Sequence, residues 1–311
     1  MKRTLAILVT ACVSTSVVYA ADDPSDLFGK FFYVTGKVEM KKKDAEERAS
    51  VKRGDSIHYG DMVWTGENSR ATIMTLSKKI VNLVPNSELN TSDRSKEPKG
   101  KLLKLLPAEG LFEKTSSADS LVAVMGVRAE LEYILSPRYS AIKTTTPVIY
   151  FRPLPENHSY AIKITGGGLP SPFKGSIESN VLDLSKVELR KPLDRETTYF
   201  IQAELVDQRG GLRGKERDVF IRPISDEELA KITAIEKEIA QLQKTDPDNT
   251  SYSVLLAAAY EDMGLYSDAL TIYEALHREQ PDDEFIRDKL AIMYNQVKLV
   301  TELINLTQPK K

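Results

Sequence analysis

Three rhythms of apolar and polar residues follow one another along the chain. From Phe31 to about Leu135 the alternation is short. Val34, Gly36, Val38 and Met40 share one face while Thr35, Lys37, Glu39 and Lys41 take the other, the period of two of a half-buried strand. Turn signals at Gly54-Asp55, Gly60-Asp61 and Gly66-Glu67-Asn68 recur every six residues, each joining freedom at positive φ to a polar turn former. Ile57 and Tyr59, then Met62 and Trp64, stand between them. Strands that short at that interval predict a solenoid-like stack or a tight sandwich, and three copies do not choose between them.

A second segment runs from about Pro147 to Pro223. Tyr160, Ile162 and Ile164 alternate with Ala161, Lys163 and Thr165, and Tyr199, Ile201, Ala203 and Leu205 alternate with Phe200, Gln202, Glu204 and Val206. With Gly166-Gly167-Gly168 and Gly210-Gly211 as turns, this predicts a small antiparallel sandwich. The corner Leu193-Asp194-Arg195-Glu196-Thr197-Thr198-Tyr199 resembles that of an immunoglobulin or fibronectin type III module. After Ile224 the period becomes 3.6. Ser225 is placed to cap a helix carrying Leu229, Ile232, Ile235, Ile239 and Leu242, and Asp246-Pro247-Asp248-Asn249 breaks it. Leu256, Ala257, Tyr260, Gly264, Ala269, Tyr273, Leu276 and Pro281 then stand at tetratricopeptide spacing, with Ser253 where that repeat usually has Trp. Flanking helices are expected at 226–243 and 284–306, with a frayed tail beyond Thr307.

The first twenty residues carry a different signal. Lys2 and Arg3 precede an apolar run from Leu5 to Val13 and a small-residue exit at Val18-Tyr19-Ala20. That is the layout of a secretory signal peptide over 1–20, cut after Ala20, and the run is too short to span a bilayer. Val9-Thr10-Ala11-Cys12 loosely fits a lipobox, so lipidation at Cys12 stands as the alternative anchor. Cys12 is the only cysteine. Cleavage after Ala20 therefore leaves a periplasmic or secreted chain with no disulfide, and each domain must stand on its core.

Tyr33-Val34-Thr35-Gly36-Lys37-Val38 opens the β segment, and Gly54-Asp55 and Gly60-Asp61 follow. Next come Val63-Trp64-Thr65-Gly66, Ser69-Arg70-Ala71-Thr72-Ile73, Val84-Pro85-Asn86-Ser87 and, much later, Val124-Met125-Gly126-Val127-Arg128. This order resembles the FecR domain over residues 31–135. Two positions depart from the family pattern: Ser77-Lys78-Lys79 where Asp-Gly-Ser is common, and Arg128-Ala129-Glu130 where Arg-Gly-Thr closes the domain. The resemblance implies an all-β, solenoid-type domain and no catalysis, since the family's signatures are turn and core residues. The expected fold class is therefore multidomain, β then α. A FecR-like β domain spans 31–135, a small immunoglobulin/fibronectin III-like sandwich 147–223, and tetratricopeptide-like helical hairpins 225–306.

Composition narrows the function classes. Hydrophobic residues make up 41% of the chain, enough for packed cores and too rich for disorder. Lys and Arg total 43 against 45 Asp and Glu, and the signal segment removes two of those cations. A nucleic-acid partner is disfavoured by that balance. Later stretches contain no run of transmembrane length. The lysines at 41–43 and at 96, 99, 101 and 104 read either as edge-strand guards or as a patch for an acidic partner or anionic envelope polymer.

His58, His158 and His277 are scattered and no His-x-x-His spacing occurs, so neither a metal nor a cofactor is expected. His277, beside Arg278, reads as a solvated helix-surface residue. Ser140-Ala141-Ile142-Lys143 has the Ser-x-x-Lys spacing of penicillin-binding serine enzymes and Lys163-Ile164-Thr165-Gly166 faintly resembles their Lys-Thr-Gly, but Pro137 and Thr144-Thr145-Thr146-Pro147 favour extended chain. That chemistry needs a helix placing Ser and Lys on one face. Gly166-Gly167-Gly168 is followed by Leu169-Pro170-Ser171-Pro172 and is no phosphate loop.

The function expected is a non-enzymatic exported scaffold or adaptor that binds another envelope protein or a peptide segment. A FecR-type signalling regulator and a cell-wall glycan binder are the alternatives, and the partner, the process and the oligomeric state stay open. On the tetratricopeptide pattern, Ser251, Val254, Ala258, Glu261 and Asp262 are expected to face the partner while Tyr260 and Tyr273 pack between helices. Prolines at 137, 147 and 223 mark linkers near 136–146 and 222–226, across which contacts are expected to be sparse.

Overall fold

The computed structural model describes residues 26–76, 79–92, 101–102, 131–187, 189 and 191–307. The signal segment with Cys12 and Ala20, the lysines at 96, 99 and 104, and the Val124–Arg128 motif lie outside the described residues. The chain divides into two compact units, residues 1–76 with 81–99, and residues 77–80 with 100–311.

The first unit contains β1 (Leu27–Thr35), β2 (Val38–Lys41), β3 (Ala49–Ser50), β4 (Ser56–His58), β5 (Met62–Thr65), β6 (Arg70–Thr75), β8 (Glu88–Asn90) and the 81–83 end of β7 (Lys79–Leu83), whose first two residues fall in the second unit. One sheet runs β4-β1-β6-β7 and the other β3-β2-β5-β8. Every pairing of β1, β2 and β5 is antiparallel. Phe28, Phe31, Ile57, Ile73 and Val81 of the first sheet share one core with Val38, Met40 and Val63 of the second. This is the sandwich arrangement, which corrects the expected solenoid. Strands far apart in sequence pair by chain reversal instead of stacking coil on coil. The alternation over 34–41 is also cut in two. At Gly36 (φ +70°) the chain leaves one sheet for the other, and a Cβ there would meet the Ser69 hydroxyl. Gly54 and Gly60 hold positive φ as expected, while at the third turn Asn68 takes that role rather than Gly66.

Buried oxygens pin these turns. Asp61, 2% exposed, accepts from the backbone N–H of Lys43 at 3.0 Å and of His58 at 2.8 Å. Thr91 Oγ1 lies 2.7 and 2.8 Å from the carbonyls of His58 and Asp61, which share its one proton, and accepts from Gly60 N at 3.0 Å. Ser69 Oγ accepts from Lys37 N at 2.8 Å. Such groups are tolerated inside because each is hydrogen-bonded.

In the second unit the short β9 (Lys101–Leu102) pairs with Lys79 and Ile80. Its sandwich comprises β10 (Ile134–Ser136), β11 (Ser140–Ile142), β12 (Val148–Phe151), β13 (His158–Gly166), β14 (Phe173–Ile177), β15 (Val181–Asp183), β16 (Tyr199–Asp207), β17 (Leu212–Lys215) and β18 (Val219–Pro223). A sheet β10-β12-β15 faces a sheet β11-β18-β16-β13-β14, with β17 beside β16. The core takes the faces the alternation predicts, with Tyr160, Ile162 and Ile164 opposite Ile201 and Ala203. At the corner, the Tyr199 hydroxyl accepts from Asp194 N at 2.8 Å. A Cβ on Gly166 or Gly168 would collide with Tyr199, so those glycines serve close approach of the chain to the buried ring.

Five helices follow: α1 (Asp226–Thr245), α2 (Ser251–Asp262), α3 (Tyr266–Glu279), α4 (Glu284–Gln296) and α5 (Val300–Thr307). Ser225 caps α1 through a reciprocal capping box with Glu228. Gly264 (φ +69°) makes the α2–α3 turn. The single helix expected over 284–306 is two, broken at Lys298 (φ +57°).

The expected linkers are not free connections. Residues 136–146 supply β11, which pairs in parallel with β18, and Ile224 N bonds the carbonyl of Ile142 at 2.9 Å. Arg138, buried, bridges sandwich and helices. Its Nη1 reaches the Ile134 carbonyl at 2.6 Å and Glu216 Oε1 at 3.0 Å, while its Nε and Nη2 bond the carbonyls of Val297 and Lys298 at 2.6 and 3.1 Å. Glu216 Oε2 accepts from the N–H groups of Tyr133 and Ile134. Glu132 Oε1 accepts from Val300 N and Thr301 N at the start of α5. Sandwich and helices are thus one compact body, and the expectation of sparse contacts fails because ion pairs between distant residues leave no periodic trace in the chain.

Candidate partner-binding groove

The five residues expected to face a partner do not form one exposed surface. Ser251 and Val254 are buried, at 1% and 0% exposure. Helix α2 lies between α1 and α3 and buries residues on both sides, including Tyr252, Leu255, Ala257 and Tyr260. A one-sided helical pattern was the wrong template for a helix packed on two faces. Ser251 Oγ bonds the Asn249 side chain instead. Ala258 is half-buried. Glu261 is an internal tie, accepting from the Tyr273 hydroxyl at 2.5 Å and from Lys289 Nζ at 2.8 Å. Only Asp262 of the five is exposed.

A concave surface lies one helix further on. A groove of about 670 Å³ opens between α3, α4 and α5, with Leu290 and Leu306 as apolar lining and Glu274, His277, Arg287 and Tyr294 as polar lining. The Tyr294 hydroxyl donates to Glu274 Oε1 at 3.0 Å. Burial pushes the Glu274 carboxyl above the ordinary glutamate value, although the Tyr294 hydrogen bond and Arg278 pull it down. The Tyr294 hydroxyl is also raised, by burial and by the neighbouring Glu274. At the groove's far side Glu302 meets Arg152 at 3.0 Å, so the sandwich braces α5. His277, expected to be solvated, is half-buried in this lining. Helical spacing placed it on a surface, and α4 and α5 then folded over that surface.

The Ser-x-x-Lys tetrapeptide is extended, as its flanks predict. Ser140 Oγ, buried in β11, donates to the Ala141 carbonyl at 2.7 Å and accepts from Ser267 N at 3.1 Å. The Lys143 ammonium goes elsewhere, to Glu236 at 2.9 Å, Asp268 at 3.1 Å and the Tyr260 hydroxyl at 3.1 Å. Burial works against its charge, but the hydrogen bonds to Tyr260 and Glu236 and the Asp268 carboxylate raise it above ordinary lysine. A lysine held protonated is no general base for Ser140. The Tyr260 hydroxyl is pushed up to about 12, chiefly by burial. Tyr260 therefore joins α2 to α1 and to the sandwich, a wider role than packing between helices.

Among the described residues no group of three or more His, Cys, Asp or Glu could hold a metal ion. Among them, too, no helix is long and apolar enough to cross a membrane. The groove's lining combines leucine side chains with carboxylates, an imidazole and a guanidinium.

No family model matches the chain, and no curated protein matches it. Among solved structures, a cell surface anchoring domain aligns at 23% identity and a TM-score of 0.20, over 21% of this chain and 86% of that one. The FN1-FN3 domains of chicken CNTN1 align at 9% identity and a TM-score of 0.22, over 64% of this chain and 58% of that one. At those TM-scores neither likeness bears on fold or function.

Proposed function

We propose that the chain is an exported envelope adaptor without catalysis of its own, which holds a segment of another envelope protein in the α3–α4–α5 groove. The supporting observation is the bracing of that groove. Glu132 caps α5, Arg138 binds the α4–α5 turn, and Arg152 pairs with Glu302. A surface held this way costs little to order when a partner docks. The signal peptide over 1–20, the FecR-like reading of 31–135, the immunoglobulin/fibronectin III-like reading of 147–223 and the tetratricopeptide-like reading of 225–306 belong to the same proposal. They place the adaptor in the periplasm or outside the cell.

The experiment is in-cell photocrosslinking, with a photoreactive residue at Asn305 in the groove or at Glu204 on the sandwich. The expected result is a discrete crosslinked protein from Asn305 that Leu306→Glu abolishes. Crosslinks from Glu204 alone, or none from Asn305, overturn the groove. N-terminal sequencing of the mature protein should begin at Ala21, and an acylated Cys12 would overturn cleavage after Ala20.

A further inference from the structure

The strongest unassigned chemistry lies on the first unit. Strands β3, β2, β5 and β8 are neighbours, and their register sets Ser50, Glu39, Trp64 and Glu88 in one row across the sheet. Val63 and Thr65 point into the core at 0% and 5% exposure, so the pleat turns Trp64 outward. Trp64 is the only tryptophan in the chain. A carboxylate stands on each side of it. Glu88 Oε2 accepts from the indole Nε1 at 3.1 Å, and Glu39 occupies the facing position on β2.

A cation already sits on this platform. The Arg48 guanidinium carbon lies 3.7 Å from the Trp64 ring centroid, while its Nη1 reaches Glu39 only at 4.0 Å. Its side chain remains 51% exposed. The pairing is therefore incomplete. Arg48 stacks on the ring without the bidentate carboxylate contact a guanidinium can make, and Glu88 Oε1 has no hydrogen-bond partner among the described residues. Arg48 belongs to a run, Lys42–Ser50, that is exposed throughout. A packed core thus does not hold the arginine in place.

We propose that the Glu39–Trp64–Glu88 row is a binding site for an arginine side chain of a partner segment, and that Arg48 is its built-in competitor. An aromatic face between two carboxylates favours a planar, weakly hydrated guanidinium over the point charge of an ammonium. The stacked Arg48 identifies that ligand class from within the chain. A partner's arginine that displaces it gains the same ring together with Glu88, which Arg48 leaves free of ion pairing. This site is independent of the helical groove, so failure of one reading leaves the other standing.

The single tryptophan makes the test direct. The full-length protein and its Arg48→Ala variant are titrated with acetyl-Gly-Arg-Arg-Gly-amide, following Trp64 emission, with the citrulline and lysine analogues as controls. Removing the competitor should tighten the arginine peptide about tenfold, the effect of one cation–aromatic contact. The citrulline peptide should not bind, and the lysine peptide should bind more weakly. Glu88→Gln, an exposed change on a folded background, should weaken the arginine peptide in both proteins. If Arg48→Ala disturbs folding, the Glu88→Gln comparison in the otherwise unaltered protein still decides. Four outcomes overturn the proposal: no saturable emission change with the arginine peptide, equal binding of arginine and citrulline peptides, equal affinity with and without Arg48 where both proteins fold, or unchanged affinity in Glu88→Gln.

Discussion

The two β bodies of this chain use different buried chemistry to hold similar strands. Among the described residues of the first unit the buried polar side chains are mostly neutral, Thr65, Ser69, Thr72, Thr75 and Thr91, with one carboxylate, Asp61, beside them. Asp61, Thr65, Ser69 and Thr91 bond backbone groups at the turns, while Thr72 bonds the Asn82 side chain. In the second unit, beside neutral groups such as Ser140 and Ser267, three buried ions stand out, Glu132, Arg138 and Glu216, each below 6% exposure. They join the sandwich to the α4–α5 turn and to the first residues of α5. Hydroxyl pins set the geometry of a hairpin. Buried ions, costly unless every lone pair and proton is matched, set the placement of whole elements.

The sharpest way to break that comparison is to remove Arg138. The change leaves the Glu216 carboxylate inside with only its two backbone donors and strips the Val297 and Lys298 carbonyls of a partner. Arg138→Ala should cost about 3–5 kcal/mol in denaturant unfolding followed by the helical signal. The pair Arg138→Met with Glu216→Leu should cost clearly less than the sum of the two single changes, because no buried charge is left over. A loss below about 1 kcal/mol for Arg138→Ala would show that water reaches the site and that the ions do not hold the helices.

Asp61 is the counterpart in the first unit. Asp61→Ala removes the acceptor of Lys43 N and His58 N and should cost about 2–3 kcal/mol, the scale of hydrogen bonds to a charged acceptor. Trp64 emission reads this unfolding in the first unit. Asp61→Asn keeps one of the two acceptor oxygens and sets an NH2 against the other N–H, so it should recover less than half of the loss, and recovery of most of it would show that a single acceptor holds the turn.

These two residues also mark what the chain discloses before folding. Gly60-Asp61 is legible as a turn because both residue types have local conformational reasons to be there. The alternation at 160–164 and 199–203 gives the core faces correctly, since strand period follows from backbone geometry alone. Arg138 and Glu216 carry no such pattern, and only the assembled sheets bring them to 3.0 Å. The functional surface fails to show for the same reason. Ser251 and Val254 looked outward on a two-helix template, but α1 adds a second packing side to α2. The groove between α3, α4 and α5 depends on the break at Lys298, which no Gly or Pro announces.

A smaller effect is expected from removing the Tyr260 hydroxyl alone, where the two types of pin meet. Its hydroxyl donates to Glu236 Oε1 at 2.7 Å and accepts from Lys143 at 3.1 Å, a neutral group inside an ion cluster. Tyr260→Phe should cost about 1 kcal/mol, the net worth of a hydrogen bond. Tyr260→Ala should reach about 3 kcal/mol through lost packing. If the phenylalanine variant cost as much as the alanine variant, the hydroxyl rather than the ring would be the element that joins α2 to the sandwich.

The least disruptive change tests the groove by pH. Burial raises the Glu274 carboxyl above its ordinary 4.5 in the folded chain. Between that ordinary value and the folded one, the native state holds a proton that the unfolded chain has released. Its contribution to stability is complete below about pH 4.5 and is lost as pH rises through the folded value. Glu274→Gln keeps the shape and an acceptor for the Tyr294 hydroxyl but removes the titration. The unfolding free energy of the variant minus that of the parent should therefore increase from pH 4.5 upward and level off once Glu274 is ionised. Measured by urea unfolding across that range, a flat difference would show that the carboxyl is solvated and the groove wetter than its lining indicates. A difference that falls with pH would show the opposite shift, with the Tyr294 hydrogen bond and Arg278 outweighing burial. The groove would then present a permanent negative charge to whatever segment it binds.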